Sequence, residues 1–200
     1  MPPSRDRPGW QSRQNVRVAR KKKPATTGDM VRTLLVILVP VVLIMILFSR
    51  TLPDYPVQEV DWRPVLADAR KHAPYLVLAP EGLPDTWRPT KAVWVAKGDP
   101  YLNGEPSERN LWELGFLDPH DIYISIQQGD GKTQLFVDSA TRQGSADGQS
   151  AVNGQTWVRY VSPDDRTRAL VLTSPKVTTI VVGDTTYDAL EAFAGTLTVR

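Results

Sequence analysis

Leu111-Trp-Glu-Leu-Gly-Phe-Leu117, Asp118-Pro-His120 and Asp121-Ile-Tyr-Ile-Ser-Ile-Gln-Gln128 follow one another without a break. In the last segment Ile122, Ile124 and Ile126 alternate with Tyr123, Ser125 and Gln127. A period of two sends alternate side chains to opposite faces of a strand, so this one is half-buried. In the first segment Trp112, Leu114 and Phe116 share a face, and Glu113 and Gly115 take the other. Asp, Pro and His between them suit a turn. The two segments therefore read as a hairpin with one apolar and one polar face, paired antiparallel.

The same reading extends outward. Toward the C-terminus, Lys132–Arg142 admits two structures: Gln134–Asp138 fits a strand centre, while Phe136 and Ala140 pair at helical spacing. The helix is favoured and the strand stays open. Asn153-Gly154 is a strong hairpin signal, joining Ser150–Val152 to Gln155–Val161. Pro163-Asp-Asp-Arg166 and Pro175-Lys176 turn the chain into Arg168–Thr173 and Val177–Val182. Thr185 and Asp188 suggest a capping box, and Leu190, Phe193 and Leu197 give a last helix one apolar face. Toward the N-terminus, Lys91–Lys97 and Tyr75–Ala79 read as strands. Asp61 is placed to cap a helix that buries Trp62, Val65, Leu66 and Ala69, with Pro64 tolerated in its first turn. The order is helix, four strands, helix, four strands, helix. It predicts an α+β domain over residues 61–200, an antiparallel sheet covered by helices on one face.

A second unit precedes this domain. Thr33-Leu-Leu-Val-Ile-Leu-Val-Pro-Val-Val-Leu-Ile-Met-Ile-Leu-Phe-Ser49 has no polar side chain from Leu34 to Phe48. A helix that is apolar all round has no face for water. It would span roughly 25 Å at about 1.5 Å per residue, slightly less than a hydrocarbon core. Arg32 and Arg50 bracket it, and Pro40 would kink it slightly, as membrane helices tolerate. The expectation is a transmembrane helix over 30–50, a disordered basic tail over 1–29 and a linker over 51–60. A cleavable signal peptide is the rival reading, but its leading region would be long. Ser49-Arg-Thr-Leu-Pro53 also lacks a small-residue cleavage pattern.

Charge gives the orientation. Residues 1–32 carry nine Lys/Arg against Asp6 and Asp29, whereas residues 51–200 carry 14 basic and 20 acidic side chains, a net −6. Basic residues stay on the cytoplasmic side, so the N-terminus is expected inside and the domain outside the cell membrane. The bilayer is then a partner of residues 33–49. Arg20-Lys-Lys-Lys23 could touch anionic headgroups, though setting topology alone accounts for it. A domain at −6 repels a polyanion, so nucleic acid is not an expected partner.

The search for chemistry assigns no catalytic, cofactor-binding or metal-ligating residue. The chain has no cysteine, which excludes disulfides, thiolate metal sites and a cysteine nucleophile. His120 in Asp118-Pro-His-Asp121 invites a metal reading, but ligands packed into one tight turn rarely converge on an ion. His72 suits a helix C-terminus. Gly129-Asp-Gly-Lys-Thr133 resembles the end of a phosphate loop, yet Ile126 stands where that pattern needs its first glycine. Asp99–Glu105 fails the calcium-loop spacing, Asp164-Asp165 reads as a turn, and no serine-hydrolase motif occurs. Of Trp62, Trp87, Trp94, Trp112 and Trp157, four lie on or beside expected strands or helix at core-compatible positions. Trp87, between Pro84 and Pro89, is the one that could line a ligand groove.

Several features occur together in order: the anchor before Tyr55-Pro-Val57, Leu83-Pro-Asp-Thr-Trp-Arg-Pro89, Asn153-Gly-Gln-Thr-Trp-Val-Arg-Tyr160, and a close at Gly195-Thr-Leu197. In these the chain resembles an actinobacterial membrane-anchored family, domain of unknown function 4245. The resemblance implies an anchored exocytoplasmic domain and brings no activity, so no functional residue carries over from it. The expected function is a non-catalytic binding or interaction module of the cell envelope, needing no cofactor, with an envelope protein or small apolar ligand as partner. The alternative is an exocytoplasmic enzyme of unrecognised type. Titratable groups converging in a concave pocket would favour the enzyme.

Overall fold

The computed structural model describes residues 27–50, 57–101 and 104–199. The chain divides into two units, Met1–Tyr55 and Pro56–Arg200. Most of the expected tail, and the linker as far as Pro56, lie outside the described residues.

In the first unit α1 runs Thr27–Arg50 with Pro40 inside it. Its large apolar side chains from Met30 to Ile46 are all exposed. The described side chains stop at Ile46, short of the end of the apolar run. Among the described residues no helix is long and apolar enough to cross a membrane.

The second unit is α+β. Its elements are α2 (Arg63–His72), β1 (Ala79–Pro80), β2 (Arg88–Val95), β3 (Leu111–Leu117), β4 (Tyr123–Gly129), α3 (Thr133–Ala140), β5 (Ser145–Val152), β6 (Gln155–Val161), β7 (Arg168–Thr173), β8 (Thr178–Gly183), α4 (Tyr187–Gly195) and β9 (Leu197–Thr198). Seven strands form one sheet in the order β2-β3-β4-β8-β7-β6-β5, and β1 pairs with β9 apart from it. Every pairing is antiparallel. The β3–β4 hairpin expected from the sequence is present, with Leu114 opposite Ile126 and Phe116 opposite Ile124. Asn153 (φ 50°) and Gly154 (φ 74°) both take the left-handed conformation that a tight hairpin turn requires.

The first face of the sheet carries the larger core: Trp112, Leu114, Phe116, Ile124, Ile126, Leu170 and Val181, covered by Leu66 and Ala69 of α2 and Leu190 and Phe193 of α4. Asp61 Oδ1 accepts from the Arg63 N–H at 3.2 Å, while Arg70, Lys71 and His72 close the last turn of α2, where cations suit the dipole.

Four expectations need correction. The helices do not share one face. Phe136 and Val137 of α3 pack on Ala169, Val171, Ile180 and Val182, the opposite side from Leu170 and Val181. Strands β7 and β8 are apolar on both faces, and a strand apolar on both faces must be covered on both. Tyr75–Ala79 is not a strand of the main sheet; only Ala79 joins β1. Tyr75 and Val77 are buried, but side chains satisfy this backbone: Leu78 N–H donates to Gln128 Oε1 at 2.7 Å, and Trp112 Nε1–H donates to Leu78 O at 2.9 Å. The last helix ends at Gly195, and Leu197 lies in β9. Its cap is Thr186, whose hydroxyl accepts from Ala189 N–H at 3.3 Å, not Thr185. Lys132–Arg142, left open above, is helical over Thr133–Ala140.

Candidate functional site

On the second face, Phe136 and Val137 of α3 cover β7 and β8, and Phe136 reaches the Gly129 end of β4. Toward β4, β3 and β2 that face carries Tyr123, Ser125 and Gln127 of β4, Glu113 and Gly115 of β3, and Lys91 of β2. These are the polar alternates of the apolar series described above. The segment between β2 and β3 walls off one side. It folds back on itself through Gly98 N–H to Ser107 O (2.9 Å), Ser107 N–H to Asp99 O (2.8 Å) and Tyr101 N–H to Glu105 O (2.8 Å). The other wall is α3 and the chain leaving it. There Arg142 (φ 55°) and Gln143 (φ 61°) are consecutive non-glycine residues in the left-handed region, a conformation that costs free energy and persists only where its surroundings impose it. Thr141 Oγ1, accepting from Gly144 N–H at 3.0 Å, helps to hold that turn.

Two cavities of about 490 and about 440 Å³ lie between these walls. They share Gln127, Ala140 and Arg142, and so form one groove along the second face. Glu113 is its most buried charge, at 6% exposed. Lys91 Nζ donates to Glu113 Oε1 at 2.7 Å, and Tyr101 Oη donates to Oε2 at 3.2 Å. A buried carboxylate requires such partners. Burial, then the Glu113 charge, then the hydrogen bond to it push the Tyr101 phenol up to about 12. Burial and the Glu113 charge push Tyr123 up to about 12 as well, with Ser125 pulling the other way. Despite that proximity, no hydrogen bond of proper geometry forms to Ser125 Oγ. It is fully buried and has no partner. Arg109 Nη1 is buried without a partner too, while the guanidinium lies over the Phe136 ring at 4.8 Å.

Of the segments singled out from sequence, Asp118–Asp121 gives Asp121 and Asp99–Glu105 gives Tyr101 and Glu105 to the groove lining; the other residues lie elsewhere. His120 is exposed, with Nδ1 3.6 Å from Asp118 Oδ2, and Asp118 Oδ1 accepts from the His120 and Ile122 N–H groups as a turn former does. Asp121 pairs with Arg88. His72 pairs with Asp68 at 3.0 Å. Asp130, in the loop-like glycine segment, accepts from Asn110 N–H at 2.8 Å. Asp164 accepts from Ser162, which with the Arg166 backbone N–H lowers its pKa. Among the described residues no group of His, Cys, Asp or Glu is placed to hold a metal ion. Trp87 stacks on Phe193 (centroids 5.5 Å apart) and meets Phe116 edge-on (6.5 Å), packing half-buried against the core, and with Trp62 it also lines a separate cavity of about 520 Å³ on the first face. Trp112 and Trp157 are buried in the same cluster, and Trp62 and Trp94 pack against it.

Sequence reasoning saw Glu113, Tyr123, Ser125 and Gln127 only as the outward half of an alternation. A half-buried sheet face and a groove floor share that pattern. Glu113 opposite Gln127, with Lys91 one strand further, was the available signal.

No curated protein matches the chain. The family model described as protein of unknown function (DUF4245) matches residues 22–197, and the chain belongs to that family.

Proposed function

We propose that this chain is a single-pass membrane protein, N-terminus inside, whose exocytoplasmic domain is a non-catalytic binding module of the cell envelope. The groove on the second face holds its ligand. The apolar run Leu34–Phe48 and the nine basic residues before it support the anchor and its orientation. One observation carries the binding reading: Lys91, Tyr101, Glu113, Tyr123 and Gln127 converge on one concave surface, with the unpartnered Ser125 hydroxyl buried beneath it. Polar groups that converge in a cavity mark a candidate binding site. The ligand it fits is polar rather than apolar, because polar and charged side chains make up most of its lining.

The convergence of titratable groups also favours the enzymatic alternative. Against it, both Glu113 oxygens are engaged, and phenols with a pKa of about 12 stay protonated at neutral pH. Neither arrangement pairs a nucleophile with a free base.

The test is a thermal-shift screen of the full chain in nanodiscs against fractionated envelope extract. A ligand that binds only the folded state raises the midpoint. At least one polar fraction should do so for the wild type and not for Gln127→Ala. Shifts that persist in the variant contradict the groove, and chemical turnover of that fraction by the wild type establishes the enzyme instead.

A further inference from the structure

We infer that the cavity of about 520 Å³ on the first face, a site apart from the groove, binds an organic cation: an alkylammonium or alkylguanidinium group. Its wall is aromatic. Trp62 and Trp87 line it, both half-buried, and Phe116 stands edge-on to each with centroids 6.2 and 6.5 Å away. Of the aromatic side chains, indole offers a cation the best ring face.

The rim is acidic. Glu59, Glu81 and Asp85 line the cavity, against the single cation Arg63. Glu81 accepts from Thr198 Oγ1 at 3.3 Å. Glu59 and Asp85 enter no ion pair with a described residue. Three carboxylates against one guanidinium repel an anion. A metal ion does not fit either. Among the described residues no group of His, Cys, Asp or Glu is placed to hold one, and indole walls supply no ligand atom.

The chain itself supplies a stand-in for the ligand. Arg63 Cζ lies over the Trp62 ring, 5.5 Å from its centroid. The Arg63 side chain is exposed and forms no ion pair with a described residue, so it is free to swing away. A ligand cation then takes the same place on the indole and meets the rim carboxylates.

The walls are tied before any ligand arrives. Val60 N–H donates to Pro89 O, Glu81 N–H to Thr196 O and Trp87 N–H to Pro84 O, each at 2.9 Å. These bonds hold the segments that carry the rim and Trp87, so binding does not have to order them.

A free amine and an arginine side chain of a partner protein carry the same kind of group, and the probes separate them. The experiment is ligand-observed NMR titration of the full chain in maltoside micelles. The cationic probes are butylguanidinium, choline and a capped tripeptide with a central arginine. The comparators are the uncharged carbon isostere of choline and butyl sulfate. At least one cationic probe should bind saturably, about tenfold or more tighter than the uncharged isostere. Glu59→Gln with Asp85→Asn should weaken it by about threefold or more, while the same charge change at the distant, exposed Asp165 and Asp188 should not. Arg63→Gln should tighten binding by about twofold to fivefold by clearing the indole, and Trp62→Leu should weaken it by a similar factor. If Trp62→Leu does not fold, the rim and Arg63 variants decide. Binding of the tripeptide alone assigns the cation to a partner protein, and binding of the free probes alone assigns it to a small molecule; both support the inference. It is overturned if no cationic probe binds, if the uncharged isostere or butyl sulfate binds as tightly, or if the rim and distant variants act alike. None of these outcomes bears on the groove, which has its own test.

Discussion

The Tyr123 phenol occupies the space that a side chain on Gly115 would fill. A Cβ built at Gly115 would lie 2.1 Å from Tyr123 Oη and 2.5 Å from Cζ. The two residues are diagonal neighbours on the second face, since Gly115 pairs with Ser125 and Tyr123 with Leu117. A strand glycine weakens a sheet unless something must approach closely. Here an aromatic ring does.

Gly115→Ala should therefore push the phenol out of the groove, at a cost of about 1–3 kcal/mol for overpacking. In a Tyr123→Ala background the same change should cost less than half as much. Thermal unfolding of the four proteins, followed by tryptophan fluorescence, completes the cycle. Costs that add within about 0.5 kcal/mol would show that the two positions are independent.

Glu113→Gln should destabilise the domain by about 1–3 kcal/mol, because it leaves the half-buried Lys91 ammonium without its counter-charge. Adding Lys91→Met should recover part of that loss. Denaturant unfolding reads both, and a double variant less stable than Glu113→Gln alone would contradict the pairing.

The two phenols of the groove predict an alkaline limb. Tyr101 and Tyr123 are raised from 10.0 to about 12 on folding. A raised pKa contributes stability that is complete below the unfolded value and lost as pH rises through the folded one. Stability should fall between about pH 10 and about pH 12, and Tyr101→Phe with Tyr123→Phe should make that fall shallower. Tyr187, also raised to about 12 by burial and Asp147, and Tyr75, raised by burial and the Asp130 charge, leave a residual slope in the double variant. An unchanged slope would place the titrating groups elsewhere.

How much of this was legible depends on the range of the forces involved. The Trp112–Phe116 and Ile124–Ile126 alternations and the Asn153-Gly154 turn are local, so pattern alone reads them. Strand β5 was read three residues long and is eight, Ser145–Val152, because Ala-Asp-Gly-Gln shows no alternation and pairs only as the outer edge of the sheet. The side chosen by α3 was hidden because Ala169, Val171, Ile180 and Val182 belong to strands apolar on both faces, and no local pattern says which helix covers which. The groove was hidden for a related reason. Tyr123, Ser125 and Gln127 look solvent-facing until the loop through Tyr101 and the turn at Arg142, both distant in sequence from parts of the floor, close over them.

Trp87 separates a core role from a role in the groove. Trp87→Ala should cost about 3–5 kcal/mol by removing the stack on Phe193, while Trp87→Phe should bind groove ligands with unchanged affinity. Weakened groove binding in a well-folded Trp87→Phe protein would tie this residue to the groove.

The account stands most directly on which side of the membrane the groove faces. The chain has no cysteine, so a single introduced thiol reports one location. Ser139→Cys places it on the exposed rim of the groove, and Ser12→Cys places it in the basic N-terminal segment. Intact cells are treated with a membrane-impermeant maleimide before and after permeabilisation. The account predicts that Ser139→Cys is labelled in intact cells and Ser12→Cys only after permeabilisation. Labelling of Ser12→Cys in intact cells, with Ser139→Cys protected until the membrane is opened, would contradict it.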